Sequence, residues 1–290
     1  MKYSELPYER IDVEKRRNLM KEYLEKFSNA ESFNEQANVI LDVNKQNKEY
    51  HSYAAMASLN FSRNIYDEDA KAEKDYYDSI GPDMIEISDL FEKAVVQSKY
   101  KDELSKKWGE KFLIDIETSL KTFDPKIKEM LKEETDLRNE YTKLTAGAKI
   151  TYEGNEYNLA GLGPFHINGD RNVRKASIEA RFHWFSKNSE ALDDIYDKLV
   201  KLRHKIATTL GYDNFIELGY MRMGRSDYGP NEVANFRKQI VDHVVPVVKK
   251  LVQKKKDILG LDHLYFYDGI NFKEGDPKPK GSPDQLIKEA

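Results

Sequence analysis

The sequence contains no cysteine among its 290 residues. Disulfide bonds, thiol chemistry and zinc sites with cysteine ligands are therefore excluded, and this absence fits a reducing compartment. Long apolar runs are also missing. No segment reaches the roughly 18 apolar residues of a membrane-spanning helix, and the N-terminus has no apolar stretch of signal-peptide length. We therefore expect a cytoplasmic protein without a membrane partner.

An excess of positive charge is lacking too. Lysine and arginine together number 47, against 51 aspartates and glutamates, and the net charge is −4. Binding to a phosphate backbone needs a basic field, so we expect no nucleic-acid partner. With 39% hydrophobic and 34% charged residues, the chain is globular, with more charge than average, and it is long enough to bury a sizeable core.

Motifs for metal binding, phosphate binding and nucleophilic catalysis are absent. The histidines lie at residues 51, 166, 183, 204, 243 and 263. Their spacing gives no His-Glu-x-x-His zinc helix and no Glu-x-x-His di-iron motif. There is also no Gly-Lys-Ser or Gly-Lys-Thr phosphate loop and no Gly-x-Ser-x-Gly nucleophile elbow. The residues alone therefore predict neither a catalytic constellation nor a metal site in this chain.

Apolar residues recur at helical spacing along most of the sequence, and capping residues precede many of these stretches. Asp12 and the capping box Ser32-Phe-Asn-Glu35 are examples. Predicted helices cover residues 12–28, 32–64, 69–97, 104–120, 125–149 and 170–186, followed by one ending near 210, a shorter one capped by Asp213, and one from 229 to 260. Prolines 82 and 246 predict a kink or break in two of them.

Two short segments have strand character. Residues 150–159 alternate around Glu153-Gly154-Asn155, which predicts a β-hairpin that must pack on the helices. Residues 261–268 contain the aromatic run Tyr265-Phe-Tyr-Asp268, which predicts a short strand. We therefore expect a mainly α fold of long antiparallel helices with one small hairpin and a short strand. The predicted division is an N-terminal helical region at 1–148 and a hairpin plus helical region at 149–290.

A further capping box, Ser282-Pro-Asp-Gln285, begins another helix just before residue 290. So short a helix is unstable alone, so we expect this chain to be a fragment of a longer polypeptide.

Several blocks, in order, resemble the oligoendopeptidase F family of zinc metallopeptidases. They include Asn158-Leu-Ala-Gly-Leu-Gly-Pro-Phe165, Gly219-Tyr-Met-Arg-Met-Gly-Arg225 and Leu259-Gly-Leu-Asp-His-Leu-Tyr-Phe-Tyr-Asp268. The resemblance runs from about residue 3 to the last residue. It implies a thimet-oligopeptidase or neurolysin-like fold, with a deep channel that admits short peptides.

In this family a His-Glu-x-x-His helix and a later glutamate bind zinc, and the motif glutamate activates the attacking water. The resemblance implies that these elements lie beyond residue 290. It therefore implies a zinc oligoendopeptidase whose N-terminal part, this chain, forms scaffold and one wall of the channel. This part alone would be inactive, with no catalytic residue and no metal ligand, and its partners would be short peptides and the missing C-terminal catalytic portion.

The resemblance also suggests residues that contact substrate. Tyr265, Phe266, Tyr267 and Asp268 match a strand that borders the family's cleft, where a strand can hydrogen-bond an extended peptide. A buried strand whose aromatic side chains only pack is an equally open interpretation. Arg222 and Arg225 could orient a peptide carboxylate or pair with Asp227. The alternative for the whole chain is a non-enzymatic helical interaction or scaffold protein.

Overall fold

The computed structural model describes residues 3, 6–273, 275–277 and 279–289. This part of the chain is mainly helical, with one two-stranded sheet. The chain forms two compact units, Met1–Leu144 with Leu192–Asn231 and Thr145–Ala191 with Glu232–Ala290. The predicted domain division at residues 148 and 149 stays a prediction. None of the described helices combines the length and apolar character that crossing a membrane requires.

Long helices dominate the first unit. Its helices are α1 (Val13–Ser28), α2 (Phe33–Arg63), α3 (Glu68–Val96), α4 (Lys101–Trp108), α5 (Glu110–Ser119), a 3-10 turn (Pro125–Ile127), α6 (Lys128–Ala146), α9 (Ser189–Thr209) and α10 (Phe215–Arg222).

Side-chain caps fix where several of these helices begin. The Asp12 carboxylate accepts the Lys15 N–H at 2.9 Å, and the Ser32 hydroxyl accepts the Glu35 N–H at 3.3 Å, as predicted. The Glu35 carboxylate accepts the N–H of Glu31 at 2.8 Å, which completes the capping arrangement one residue earlier than in the usual box. These caps confirm the predicted starts of α1 and α2.

Three details differ from the sequence-based expectation. The helix predicted over residues 104–120 is divided between α4 and α5, because Gly109 has φ of +88°, a value that α-helices do not contain. Pro82 lies inside a continuous α3, whose buried face extends on both sides of it. The cap of α10 is Asn214, whose side chain accepts the Ile216 N–H at 2.8 Å, and not Asp213.

Helices α1, α2 and α3 pack around the main core of this unit. The Gln36 side chain, at the start of α2, donates to the carbonyl of Phe27 at the end of α1, at 3.0 Å. The Ser98 hydroxyl, just after α3, donates to the same glutamine. The beginning of α2 therefore lies beside the ends of both neighbours, which is an antiparallel arrangement. Ile87 and Leu104 are fully buried within this core.

The second unit contains the sheet and the remaining helices. Its elements are β1 (Ile150–Tyr152), β2 (Asn155–Tyr157), α7 (Gly163–His166), α8 (Arg171–Lys187), α11 (Pro230–Gln239), a π-helical turn (Ile240–Val244), α12 (Val245–Leu259) and α13 (Pro283–Glu289).

The predicted hairpin is confirmed. Strands β1 and β2 pair in antiparallel register, with Ile150 opposite Tyr157. Glu153 and Gly154 have φ of 48° and 78°, the positive values that a type I′ turn requires. The ring of Phe165 contacts those of Tyr152 and Tyr157 at centroid distances of 5.0 and 5.3 Å. The hairpin therefore packs on α7, as so small a sheet needs to do.

The helix predicted from residue 229 to 260 is continuous but not uniform. Its hydrogen bonding widens into the π turn at Ile240–Val244, which ends two residues before Pro246. Proline has no N–H and its ring crowds the preceding turn, so a local rearrangement at this point is expected. Gly260, with φ of +66°, ends the helix in the left-handed conformation.

Residues 261–268 do not form the predicted short strand. Tyr265 to Asp268 form a turn, in which the Asp268 N–H donates to the Tyr265 carbonyl at 2.9 Å. The aromatic residues favour a strand, but a strand needs a hydrogen-bonded neighbour, and the only described strands pair with each other. The last capping box is confirmed, since the Gln285 N–H donates to the Ser282 hydroxyl at 3.2 Å.

Candidate functional site

The residues proposed to contact substrate belong to both units. Tyr265, Phe266, Tyr267 and Asp268 are in the second unit, and they lie together in one turn. Arg222 and Arg225 are in the first unit, at and just after the end of α10.

Asp268 holds the aromatic turn in place. Its side chain has no exposed surface, and one of its carboxylate oxygens accepts the N–H of Tyr265 at 2.8 Å. Arg171, at the start of α8, donates to both carboxylate oxygens, at 2.8 and 2.9 Å. This bidentate pair and the backbone N–H lower the pKa of Asp268 to about 2, against the opposing effect of burial. Asp268 is therefore a buried anion.

Arg174 is the second cation of this cluster, and it is 2% exposed. It lies one turn after Arg171 on α8, so both guanidinium groups reach the same side. Arg174 donates to the Tyr267 carbonyl at 3.0 Å and to the carbonyls of Asn168 and Gly169 at 2.8 and 3.0 Å. A contact to Asp268 at 3.4 Å completes its partners. The start of α8 thereby fixes the backbone of the turn.

The aromatic side chains of the turn differ in exposure. Tyr265 is 50% and Phe266 64% exposed, whereas Tyr267 is 7% exposed. The rings of Tyr265 and Tyr267 stack at 5.2 Å, and the Arg171 guanidinium lies over both. Phe266 packs edge to face on Phe182 at 5.4 Å. The turn therefore presents two exposed aromatic side chains above a base of buried groups.

We predict that Asp268→Asn lowers the free energy of unfolding at pH 7 by about 3 kcal/mol, because it leaves buried Arg174 without its anionic partner. The folded-state pKa of Asp268 is depressed, so the stability that it contributes is present above the pKa of the unfolded chain and is lost as pH falls toward 2. Urea unfolding at several pH values measures the difference. Exposed Asp262→Asn is the control, with an effect below about 0.5 kcal/mol. A constant difference between pH 7 and pH 2.5 contradicts this account.

Arg222 is paired in the structure, but not with Asp227. Its guanidinium donates to Glu134 of α6 at 2.7 Å, and Arg203 donates to the other oxygen of Glu134 at 2.7 Å. Glu134 is 3% exposed; burial disfavours its charged form, but the two arginines hold the pKa of Glu134 below its usual value. The Arg222 side chain keeps 29% of its surface exposed.

Arg225 has aromatic neighbours. Its guanidinium lies over the rings of Tyr220 and Tyr228, at 5.0 and 5.6 Å from their centroids. Such stacking orients a guanidinium, and the N–H groups can still donate hydrogen bonds within the plane of the guanidinium.

Glu134 and Arg222 line a cleft of about 880 Å³ within the first unit. Its other walls come mainly from α2, α3 and α6, and they carry polar groups such as His51, Asp78 and Asn139. A cleft of this size accommodates several residues of an extended peptide or one small molecule.

Two acidic residues on α3 line the same cleft, and neither forms an ion pair with another residue of the described part of the chain. Asp89 is 4% exposed, and burial raises its pKa to about 6. Glu92 lies one turn further along, and one of its oxygens is buried without a hydrogen-bond partner. Burial and the nearby Asp89 raise the pKa of Glu92. Both carboxyl groups therefore keep their protons to a higher pH in the folded state than in the unfolded chain.

We predict that Asp89→Asn raises the free energy of unfolding at pH 7 by about 1 to 2 kcal/mol. The folded-state pKa is raised, so the wild-type chain loses stability as pH rises from about 4 to 6, whereas the variant does not. Thermal or urea unfolding from pH 4 to 7 tests this. Exposed Asp42→Asn, on α2, is the matched control and should leave the pH profile unchanged. A gain of equal size at pH 4 and pH 7 would show that charge is not the cause.

The described residues do not fit a zinc centre. No group of three or more His, Asp or Glu among them is placed to hold a metal ion.

Sequence reasoning missed the buried partners of the predicted residues. Arg171 and Arg174 reach Asp268 across nearly 100 positions of sequence, and Glu134 meets Arg203 and Arg222 from a different helix. The spacing of Arg171 and Arg174 on one helix face was the available signal. Nothing in the sequence near Glu134 distinguished it from the surrounding solvated charges.

Comparison with protein families identifies both parts of the chain. Residues 3–123 match the peptidase M3 N-terminal domain, and residues 165–287 match peptidase family M3. No curated protein matches the chain significantly.

Solved structures agree with this assignment. PZ peptidase A, solved with an inhibitor, is 38% identical, with a TM-score of 0.93 over 99% of this chain and 51% of that protein. A protein assigned as oligoendopeptidase F is 38% identical, with a TM-score of 0.94 over 99% of this chain and 51% of that one. Another so assigned, from Bacillus anthracis strain Ames, is 35% identical, with a TM-score of 0.92 over 99% and 53%.

The chain thus spans about half the length of each of these proteins. The fold class expected from the sequence, and the resemblance to oligoendopeptidase F, are confirmed. Because the two family matches follow each other along nearly the whole sequence, and the structural likeness extends over 99% of it, the chain belongs to peptidase family M3.

Proposed function

We propose that this chain is the N-terminal part of a zinc-dependent oligoendopeptidase that hydrolyses short peptides. The observation that carries the proposal is the 38% identity to PZ peptidase A and to a protein assigned as oligoendopeptidase F, each over 99% of this chain. Likeness of this degree along the whole chain supports a shared activity, and not only a shared fold. A cytoplasmic location, expected from the cysteine-free sequence, belongs to the same proposal.

In this proposal the chain supplies scaffold and one wall of the peptide channel. Tyr265 and Phe266 contact the peptide through their exposed rings, while Tyr267 and Asp268 hold the turn in position. Arg222 and Arg225 offer guanidinium groups to a peptide carboxylate, supported by Glu134 and by aromatic rings respectively.

The zinc ion belongs to the proposed whole enzyme and is bound outside this chain. The sequence contains no His-Glu-x-x-His motif, so in this proposal the zinc ligands lie in the remainder of the enzyme. When bound, zinc would supply Lewis-acid activation of the attacking water. The role of this chain's own residues would be to bind and orient the peptide.

The test is to produce the longest polypeptide encoded by the gene that contains this sequence, beside the 290-residue chain. We expect the longer polypeptide to bind about one zinc ion and to cleave a quenched short peptide, and the 290-residue chain to do neither. Metal analysis and a fluorescence assay give the two readouts. A longer polypeptide that neither binds zinc nor cleaves, or a gene that ends at residue 290, overturns the proposal and favours a helical interaction protein.

We predict that Phe266→Ala in the longer polypeptide raises KM about fivefold and leaves kcat within about twofold, because loss of one aromatic contact removes roughly 1 kcal/mol of peptide binding. Phe272→Ala, at another exposed phenylalanine of the same unit, is the control. Unchanged KM for Phe266→Ala, or an equal rise for both variants, would remove Phe266 from the proposed peptide surface.

A further inference from the structure

The long helix from Pro230 to Leu259 carries an exposed apolar surface. None of its residues is buried against the rest of the described chain. Five of its aliphatic side chains follow the spacing of one helical face and are between 47% and 61% exposed: Val241, Val244, Val248, Leu251 and Val252. We call these five residues the α12 stripe.

An exposed apolar stripe of this kind indicates that another protein segment or molecule packs against it. Helices in water gain most of their stability by burying one apolar face, and an isolated contiguous apolar patch marks an interaction surface. The remainder of α12 is strongly basic. It contains lysines at 249, 250, 254, 255 and 256 but only one acidic residue, Asp257, although the whole chain has a net charge of −4. The cover should therefore be apolar at its centre and acidic at its rim.

We infer that the α12 stripe is the docking surface for the complementary catalytic half of an M3 peptidase. This inference rests on the proposed function. The solved structures that this chain matches over 99% of its length are about twice as long, so their folded form contains a second half that this chain lacks. A second half of that size can cover the helix from Pro230 to Leu259, none of whose residues is buried within this chain.

Two other occupants are chemically reasonable and are separated by experiment. A second copy of the chain could pair stripe to stripe, although the lysines would then face each other at the rim. An anionic membrane surface could take a basic amphipathic helix. The likeness to longer proteins favours the complementary half over both.

The absence of cysteine makes a direct test possible. Leu251→Cys places a single thiol within the stripe, and Lys250→Cys places one on the other side of the same helix, also exposed. Each variant is made in the 290-residue chain and in the longer polypeptide from the same gene. Maleimide labelling at residue 250 or 251 is then followed by peptide mass spectrometry, which ignores any cysteine outside this chain.

We expect both thiols to label at similar rates in the 290-residue chain. In the longer polypeptide, labelling at residue 251 should be at least about 100-fold slower, and labelling at residue 250 should stay within about threefold. Equally fast labelling at 251 in both forms overturns the inference. Slow labelling at 251 in the 290-residue chain, relieved by dilution, assigns the stripe to a second copy, and protection that appears only with vesicles of anionic lipid assigns it to a membrane. Both results also overturn the inference.

The readout does not depend on peptidase activity. A longer polypeptide that protects residue 251 but neither binds zinc nor cleaves peptide would contradict the proposed function while leaving the docking surface intact. A longer polypeptide that cleaves peptide but labels rapidly at residue 251 would support the proposed function and contradict the docking surface.

Discussion

The buried carboxylate of Asp268 is the constraint on which the aromatic turn depends. A charged group without exposed surface is costly unless its partners replace the water that it lost. Arg171, Arg174 and one backbone N–H do so here. Because the two arginines belong to the start of α8, the turn and the helix hold one another in a fixed relation, and Tyr265 and Phe266 stay exposed on a rigid base.

The first unit uses the same device at Glu134, which two arginines neutralise on the wall of the cleft. Asp89 shows the opposite solution, because it is buried without such a cation and its pKa rises instead. The cleft therefore holds Glu134, whose charged form is stabilised, and Asp89, which keeps its proton up to a pH of about 6. A ligand in the cleft would meet the fixed positive charge of Arg222 on one side. On the side of α3 it would meet carboxyl groups that can gain or lose a proton.

Local features of the fold could be predicted from the sequence, and long-range ones could not. The starts of α1 and α2 depend on side chains within three residues of the helix, so the caps at Asp12 and Ser32 were visible in the sequence. The hairpin was visible for the same reason. The turn at residues 265–268 was not, because its aromatic residues favour a strand and the arginine that decides otherwise is 97 positions away. For the candidate residue Arg222, the sequence could not show its ion-pair partner, because Glu134 is 88 positions away.

The π turn at Ile240–Val244 has a consequence for the surface beside it. Phe236 and Val244 are eight positions apart, and Val244 and Leu251 are seven apart. Seven residues make about two turns of an α-helix, so the eighth would displace Phe236 around the axis by about 100°. A π turn takes up one additional residue without ending the helix. Phe236, which is 62% exposed, is thereby returned to the side of Val244 and Leu251, and the inserted residue joins two helical segments into one continuous face.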